Sequence, residues 1–429
     1  MRATEITSTV VAGVLSKYAN LYSDVNAASE RIARAAGKFV GFFGDADAML
    51  LSVPGRSEVC GNHTDHNNGK VLAAAIDRDI IAIASKNDDG VIRFYSEGYP
   101  LDTVELSLAP DKNNFKRYSS AALIAGVVDG FSKKGYTVGG FNVYSTSEVL
   151  KGSGISSSAA FEIMVGNALN HLYNGGKVDS KDIARIAQYA ENEYFGKPSG
   201  LMDQMACAVG GFVYIDFGGK DAVVEPIDFP ISDKGYSLCI VNTGGNHADL
   251  NEDYASVPGE MKAVARAFGK ETLSEVGEGE FMVCMKALRE GVGDRAILRA
   301  IHFIRENKRV TEAMYALKAG DVDAFLDAVT SSGNSSFKYL QNVYTTNNVS
   351  EQGLSLALAL ADGYLDGKSG ACRVHGGGFA GTIQVFVKNE DLDGLVELMD
   401  SVFGRGAAMP LGIRSLGAIR IDLENKGEI

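Results

Sequence analysis

Apolar residues recur at helical spacing from Ser23 to Phe39, with Val25, Ala28, Ile32 and Ala35 near one face, which predicts an amphipathic helix. Met49–Val53 predicts a short strand running into Pro54-Gly55-Arg56. Three strand-like runs follow at Ile80–Ser85, Val91–Ser96 and Thr103–Leu108. Between the first two, Asn87-Asp88-Asp89-Gly90 has the composition of a hairpin turn, because glycine tolerates positive φ. Ser119–Lys133 reads as a helix, Gly140–Thr146 as a strand, and Ser157–Tyr173 and Ser180–Tyr194 as helices. Past Gly211 the rhythm changes. Strands are expected at Phe212–Phe217 and Ser237–Asn242, then a mostly helical stretch from about Asp249 to Gly363. A strand, glycine turn and strand (Ala371–Val387), a helix (Leu392–Phe403) and a strand (Gly417–Leu423) close the chain. This order predicts an α+β protein of two domains, 1–220 and 221–429. No Pro/Ser linker separates them, so they should pack closely with a ligand cleft between them.

A length of 429 residues accommodates that organisation, and 45% apolar with 22% charged residues is ordinary for a globular protein. With 41 basic against 54 acidic residues the net charge is −13, which argues against binding nucleic acid or an anionic membrane. No apolar run approaches the ~18 residues of a membrane span. Met1–Asn20 lacks a signal-peptide layout, so a cytoplasmic location is expected. The five cysteines, Cys60, Cys207, Cys239, Cys284 and Cys372, are scattered without a Cys-x-x-Cys pair, and read as small buried hydrophobes. Glycine is the outlier: 50 residues, well above the ~7% norm, gathered in clusters.

One cluster, Lys151-Gly-Ser-Gly-Ile-Ser-Ser-Ser-Ala-Ala160, follows a predicted strand and opens a predicted helix. Small residues let a backbone approach an anion, and the helix N-terminus adds unpaired N–H groups and partial positive charge. The serine hydroxyls add donors to phosphate and oxygens for Mg²⁺; the plainer reading is a serine-rich N-cap. A Walker loop is excluded, because Gly363 to Gly367-Lys368-Ser369 is one residue short and ends a helix. Gly376-Gly377-Gly378-Phe379-Ala380-Gly381 fits Gly-x-Gly-x-x-Gly but leads into a strand, so it is a backbone-exposing turn and no dinucleotide fingerprint.

A third segment, Val53 to Gly69, packs Arg56, His63, Asp65 and His66 into a turn-rich stretch. His63, Asp65 and His66 invite a metal reading, but a hydroxyl-rich ligand such as a sugar suits these side chains better. A fourth, Ala190 to Gln204, ends a helix at Gly196, where Pro198 stops it, and places Asp203 after a Ser-Gly turn with Glu191 on the helix before. One carboxylate could hold a metal and the other orient a hydroxyl.

Together these segments resemble the galactokinase branch of the GHMP small-molecule kinases. Pro54-Gly-Arg…Gly61-Asn-His-Thr-Asp-His-Asn-Asn-Gly69 is similar to that branch's signature, Pro-Gly-Arg-x5-Glu-His-Thr-Asp-Tyr-Asn-x-Gly. Gly152–Ala160 resembles the ATP-phosphate loop, Gly200-Leu-Met-Asp-Gln204 the catalytic-carboxylate segment, and Val374–Gly381 the third, glycine-rich motif. Order and spacing agree over nearly the whole chain. The resemblance implies a GHMP kinase fold, with an N-terminal mixed-sheet α/β domain and a C-terminal ferredoxin-like domain. It implies Arg56 and Asp203 as the catalytic pair, and Asn62, His63, Asp65, Gly200 and Tyr254 at the sugar, Tyr254 through the spacing His247-x6-Tyr. It implies Gly152, Ser153, Gly154, Ser156, Ser157, Ser158, Gly377 and Gly378 at ATP, and Ser158 and Glu191 as Mg²⁺ ligands. The implied partners are a free sugar and ATP, for a chain expected to act as a monomer. Arg56 would keep Asp203 ionised and stabilise phosphate charge, while Asp203 handles the proton of the anomeric hydroxyl.

Three departures stand out: Asn62 for the usual glutamate, His66 for the tyrosine, and Ala255-Ser-Val-Pro258 where an arginine pair is usual. The expected reading is a galactokinase in which Asn62 faces the sugar's C6 and broadens tolerance there, uronic acids included. The alternatives are a kinase for another sugar (a uronic acid, an amino sugar or a heptose) and a non-catalytic sugar sensor. The intact loop and Asp203 disfavour the sensor.

Overall fold

Residues 1–18, 21–22, 24–149, 154–197, 199–245 and 250–424 are described by a computed structural model, and their strands form two sheets. In chain order the strands are β1 (Met49–Cys60), β2 (Lys70–Lys86), β3 (Val91–Ser96), β4 (Leu101–Glu105), β5 (Phe141–Ser147), β6 (Phe212–Asp216), β7 (Val223–Ile227), β8 (Tyr236–Asn242), β9 (Gly370–His375), β10 (Thr382–Lys388), β11 (Ala408–Leu411) and β12 (Ile419–Ile421). The first sheet runs β12-β1-β2-β5-β3-β4, with β6 added to β2 and β7 to β6.

The central strands are buried on both faces. On one side Leu50, Ile81 and Ile83 meet Ala28, Ile32, Ala35 and Phe39 of the helix Val25–Phe43. On the other, Leu51, Ala82 and Val143 join the core formed with the helices Ser120–Lys133, Ser157–Tyr173 and Ser180–Tyr189. Two-sided burial explains why β2 reads as a near-continuous apolar run. Asp24 and Ser119 cap their helices by accepting from Ala27 N and Ala122 N.

The turn at Asn87–Gly90 exists, with Gly90 at φ +72°, but β2 and β3 are not a hairpin. β5 inserts between them, antiparallel to β2 and parallel to β3. Asn87 ties the junction by donating to Val91 O (2.9 Å) and Asn142 Oδ1 (3.1 Å). β1 also differs from expectation: it continues through Pro54-Gly55 to Cys60, absorbing register shifts at Pro54/Arg56 and Glu58/Cys60.

The second sheet is antiparallel in the order β11-β8-β10-β9, with helices between β8 and β9 and one between β10 and β11. That is the βαββαβ connectivity of a ferredoxin-like domain. First-sheet membership reaches Ile227, beyond residue 220, and takes back β12 from the end of the chain. Among the described residues, no helix is long and apolar enough to cross a membrane.

Asp79, with no solvent exposure, fastens the returning segment. It pairs with Arg31 and accepts from Tyr22 Oη (2.5 Å), Ser52 Oγ and Arg414 Nη1 (3.3 Å). Burial alone would raise its carboxyl; Arg31 and Arg414 outweigh that and hold it below its ordinary value. A depressed folded pKa contributes stability above the unfolded value and loses it as pH falls through the folded one. Asp79→Asn leaves buried Arg414 with neutral partners only and Arg31 with only the half-exposed Glu148, and should cost about 3 kcal/mol, read as a lowered urea midpoint with unchanged slope.

Candidate active site

β1 carries Arg56 into a cleft of about 1030 Å³ between the two sheets' domains. Its guanidinium forks onto Asp203, Nε to Oδ1 at 2.7 Å and Nη2 to Oδ2 at 2.9 Å, while Nη1 donates to Gly154 O at 2.6 Å. Asp203 lies in the first turn of the helix Met202–Val209, and Ser156 Oγ also donates to it. Burial would push the Asp203 carboxyl up; Arg56 and Ser156 together bring it below its ordinary value. One planar cation thus joins a carboxylate kept ionised to the backbone of the loop before the helix Ser157–Tyr173.

Ser157 and Ser158 occupy the first turn of that helix, and Ser156 enters it at φ +60°. Gly152 and Ser153 lie outside the described residues, as do Pro198 and His247. Ser158 Oγ donates to Glu191 Oε1 at 3.1 Å. Lys197 Nζ reaches the same oxygen at 3.2 Å, and Gln204 Nε2 donates to Glu191 Oε2 (2.7 Å) and Glu162 Oε2 (3.2 Å). Burial and then the adjacent Glu191 raise Glu162 well above its ordinary 4.5, and its Oε1 is buried without a partner. These donors are hard oxygens beside an anion-binding helix terminus. They fit a Mg²⁺ that takes one or two carboxylates and completes its shell with phosphate and water. His63, Asp65 and His66 form no metal-binding group of their own: among the described residues no three His, Cys, Asp or Glu side chains converge to hold a metal ion.

The turn after β1 supplies His63 at φ +57°. Its Nε2 lies 2.8 Å from Gly377 O, an acceptor, which assigns the ring proton to Nε2. Nδ1 is then a buried acceptor without a partner. Burial and the neighbouring His66 push His63 down to about 3, so the ring is neutral. Asp65 lines the same cleft and packs on Gly200, where an added Cβ would come 2.1 Å from Asp65 Oδ2. Tyr254, on the helix Asn251–Ala267, donates to Gly378 O at 2.8 Å and meets Phe379 edge-on. Gly378 has φ +83°, and a Cβ there would collide with Asn342 O. The carbonyls of Gly377 and Gly378 thus hold the His63 and Tyr254 side chains.

Asn62 lines the cleft, as expected, but its amide is engaged by protein groups. It is 1% exposed, and its amide donates to Glu58 Oε1 (2.9 Å) and Gly376 O (2.7 Å). Its carbonyl accepts from Asn342 Nδ2 (2.5 Å) and Ser336 Oγ (3.4 Å). An amide has two donors and two acceptor positions, so no capacity remains for a sugar hydroxyl. From the opposite side His302 Nε2 contacts Asn62 O (3.0 Å), and Gly61 N donates to Glu306 Oε1 (3.0 Å). Asn62 is an interdomain fastener.

The sequence reading did not single out Glu58, Glu162, Lys197 or Gln204. Glu162 was findable, lying one helical turn after Ser158 on the same face. Glu58 had a signal too: it stands two residues after Arg56, a same-face position once β1 is known to continue.

Comparison with known proteins follows the same segments. A family model described as the GHMP kinases N terminal domain matches residues 119–211, and one described as the galactokinase galactose-binding signature matches residues 37–86. A galactokinase of Streptomyces coelicolor is 30% identical over 85% of this chain and 91% of its own. One of Actinobacillus pleuropneumoniae is 32% identical over 83% of this chain and 90% of its own. Among solved structures, Lactococcus lactis galactokinase complexed with galactose has the same fold, with a TM-score of 0.74 over 90% of this chain and 98% of its own, at 24% identity.

Proposed function

The chain belongs to the galactokinase family of GHMP kinases, and on that premise we propose that it transfers the γ-phosphoryl group of ATP to the anomeric hydroxyl of galactose, giving galactose 1-phosphate and ADP. The observation that carries this reading is the Arg56–Asp203 fork tied to Gly154 O, a proton acceptor fixed against a phosphate-binding loop.

Phosphoryl transfer asks the protein mainly for alignment and charge neutralisation. The backbone from Gly154 and the first turn at Ser156–Ser158 cradle the nucleotide phosphates, helped by Gly152, Ser153 and the glycine turn at Gly377-Gly378. His63, Asp65, Gly200 and Tyr254 shape the sugar side of the cleft. His63 Nδ1, neutral and unpartnered, accepts a sugar hydroxyl. Asp203 receives the anomeric proton. A carboxylate held below its ordinary pKa is a weak base, so the proton arrives late, after the hydroxyl has gained acidity from bonding to phosphorus. Ser158 and Glu191 would hold Mg²⁺, which would supply charge neutralisation on the nucleotide phosphates. The same reading takes the enzyme as acting in the cytoplasm, and as a monomer because the chain's own two halves line the cleft.

A coupled ADP-release assay over a panel of free sugars tests the proposal. Galactose should give the highest kcat/KM. A heptose, amino sugar or uronic acid ranking first, or no sugar-dependent ADP at all, overturns it. Ser158→Ala and Glu191→Gln should each raise the Mg²⁺ concentration for half-maximal rate by about tenfold or more. Unchanged Mg²⁺ titrations in both would place the metal elsewhere.

A further inference from the structure

We propose that Glu58, and not Asn62, is the specificity residue that receives a sugar hydroxyl and excludes anionic sugars; this rests on the sugar-kinase reading above. The pairing of β1 with β2 is regular from Arg56 (opposite Ala75) through Glu58 (opposite Ala73). Residues two apart on a strand share a face and are separated by about 7 Å. Both side chains line the cleft, whereas Ser57 between them turns to His375 and Gln384 of the second sheet. Arg56 marks the reacting end through Asp203. Glu58 therefore stands one strand repeat away, a distance comparable to the length of a hexose.

The Glu58 side chain is prepared for a ligand on one oxygen only. Oε1 accepts from Asn62 Nδ2 at 2.9 Å and lies 4.0 Å from Arg373 Nη2. Among the described residues no hydrogen bond reaches Oε2, on a side chain 6% exposed. A carboxylate so enclosed gains most from a donor, and a hydroxyl bonding to it forms a strong charge-assisted bond. Asn62, with its amide fully engaged, acts by fixing the Glu58 carboxylate. The cleft as a whole is balanced, with Arg56, Lys197 and Lys262 against Glu58, Asp65 and Asp203; the discrimination is local, because a substrate carboxylate placed against Glu58 Oε2 meets like charge and a uronic acid is rejected. This reverses the tolerance expected from Asn62 in the sequence.

The test measures kcat and KM for galactose, its 2-, 3-, 4- and 6-deoxy analogues and galacturonate, in wild type, Glu58→Gln, Glu58→Asp and Asn62→Ala. Wild type should lose about a hundredfold in kcat/KM on one deoxy analogue, because a site built to bond a hydroxyl rejects its absence. Glu58→Gln should lose about tenfold on galactose, mainly through KM, yet match wild type on that one analogue. Glu58→Asp, charged but too short, should show the same equality, and Glu58→Gln should narrow the gap between galactose and galacturonate about tenfold. Penalties that add for all four analogues, or the equality appearing in Asn62→Ala instead, overturn the assignment. Failure of the sugar-kinase reading looks different: wild type itself would release no ADP with galactose.

Discussion

Asp203→Asn should bind galactose and ATP within about tenfold of wild type and turn over about a thousandfold more slowly. The carboxylate takes three donors, two from Arg56 and one from Ser156, and remains ionised because of them. An amide of the same shape offers one oxygen, so part of that array is lost and an N–H faces a donor. More important, it cannot accept the anomeric proton. His63, Asp65 and Tyr254, the sugar contacts proposed above, line the cleft from other elements and survive the change. The loss therefore falls on kcat. Single-turnover ADP release and calorimetric binding of the sugar separate the two quantities. Retention of more than a few per cent of wild-type kcat removes Asp203 from the proton-accepting role. In the wild-type enzyme the acid limb of kcat should lie below the ordinary carboxylate range, because Arg56 holds Asp203 down.

How far this site is legible from sequence depends on where local rules survive tertiary packing. The helices Ser120–Lys133 and Ser157–Tyr173 fall within a residue of where the sequence reading places them; Ser119 caps the first, whereas Ser156 enters the second in a left-handed conformation without a side-chain cap. Arg56 meets Asp203 and Ser158 meets Glu191, the two pairs that the family resemblance implies. The hairpin expected at Asn87–Gly90 fails because local turn chemistry says nothing of β5, which arrives from beyond a helix to separate the flanking strands. Pro54 appears to a sequence reading as a strand end, since proline removes a ladder donor. Here a bulge accommodates it and β1 continues. Losing those residues as a strand loses the two-residue period, and with it the pairing of Arg56 and Glu58 on one face. The engagement of Asn62 is hidden from sequence for a related reason. Its partners Asn342, Ser336 and Gly376 lie far along the chain in the other domain, and only packing reveals that they engage its amide completely.

Arg56→Lys should lower kcat by about a hundredfold or more and move the acid limb of the pH–rate profile upward. Lysine keeps the charge but replaces a planar fork by a single ammonium. Arg56 makes three fixed bonds in two directions, to both oxygens of Asp203 and to Gly154 O, and so sets the distance between proton acceptor and phosphate loop. An ammonium on a flexible stem reaches one of these partners at a time. Asp203 then loses its alignment, and misplacement of a reacting group by about 1 Å costs on the order of a hundredfold. The sign of the pH effect follows from the charges. Arg56 is the leading opposing charge that holds Asp203 below its ordinary value against burial, and weakening that pair lets the carboxyl rise. On the proposed role, activity requires the ionised form, so it disappears at a higher pH in the variant. Thermal unfolding of the variant separates a folded, misaligned site from a collapsed one. A folded Arg56→Lys enzyme with wild-type kcat and an unmoved acid limb would reduce Arg56 to a structural ion-pair partner.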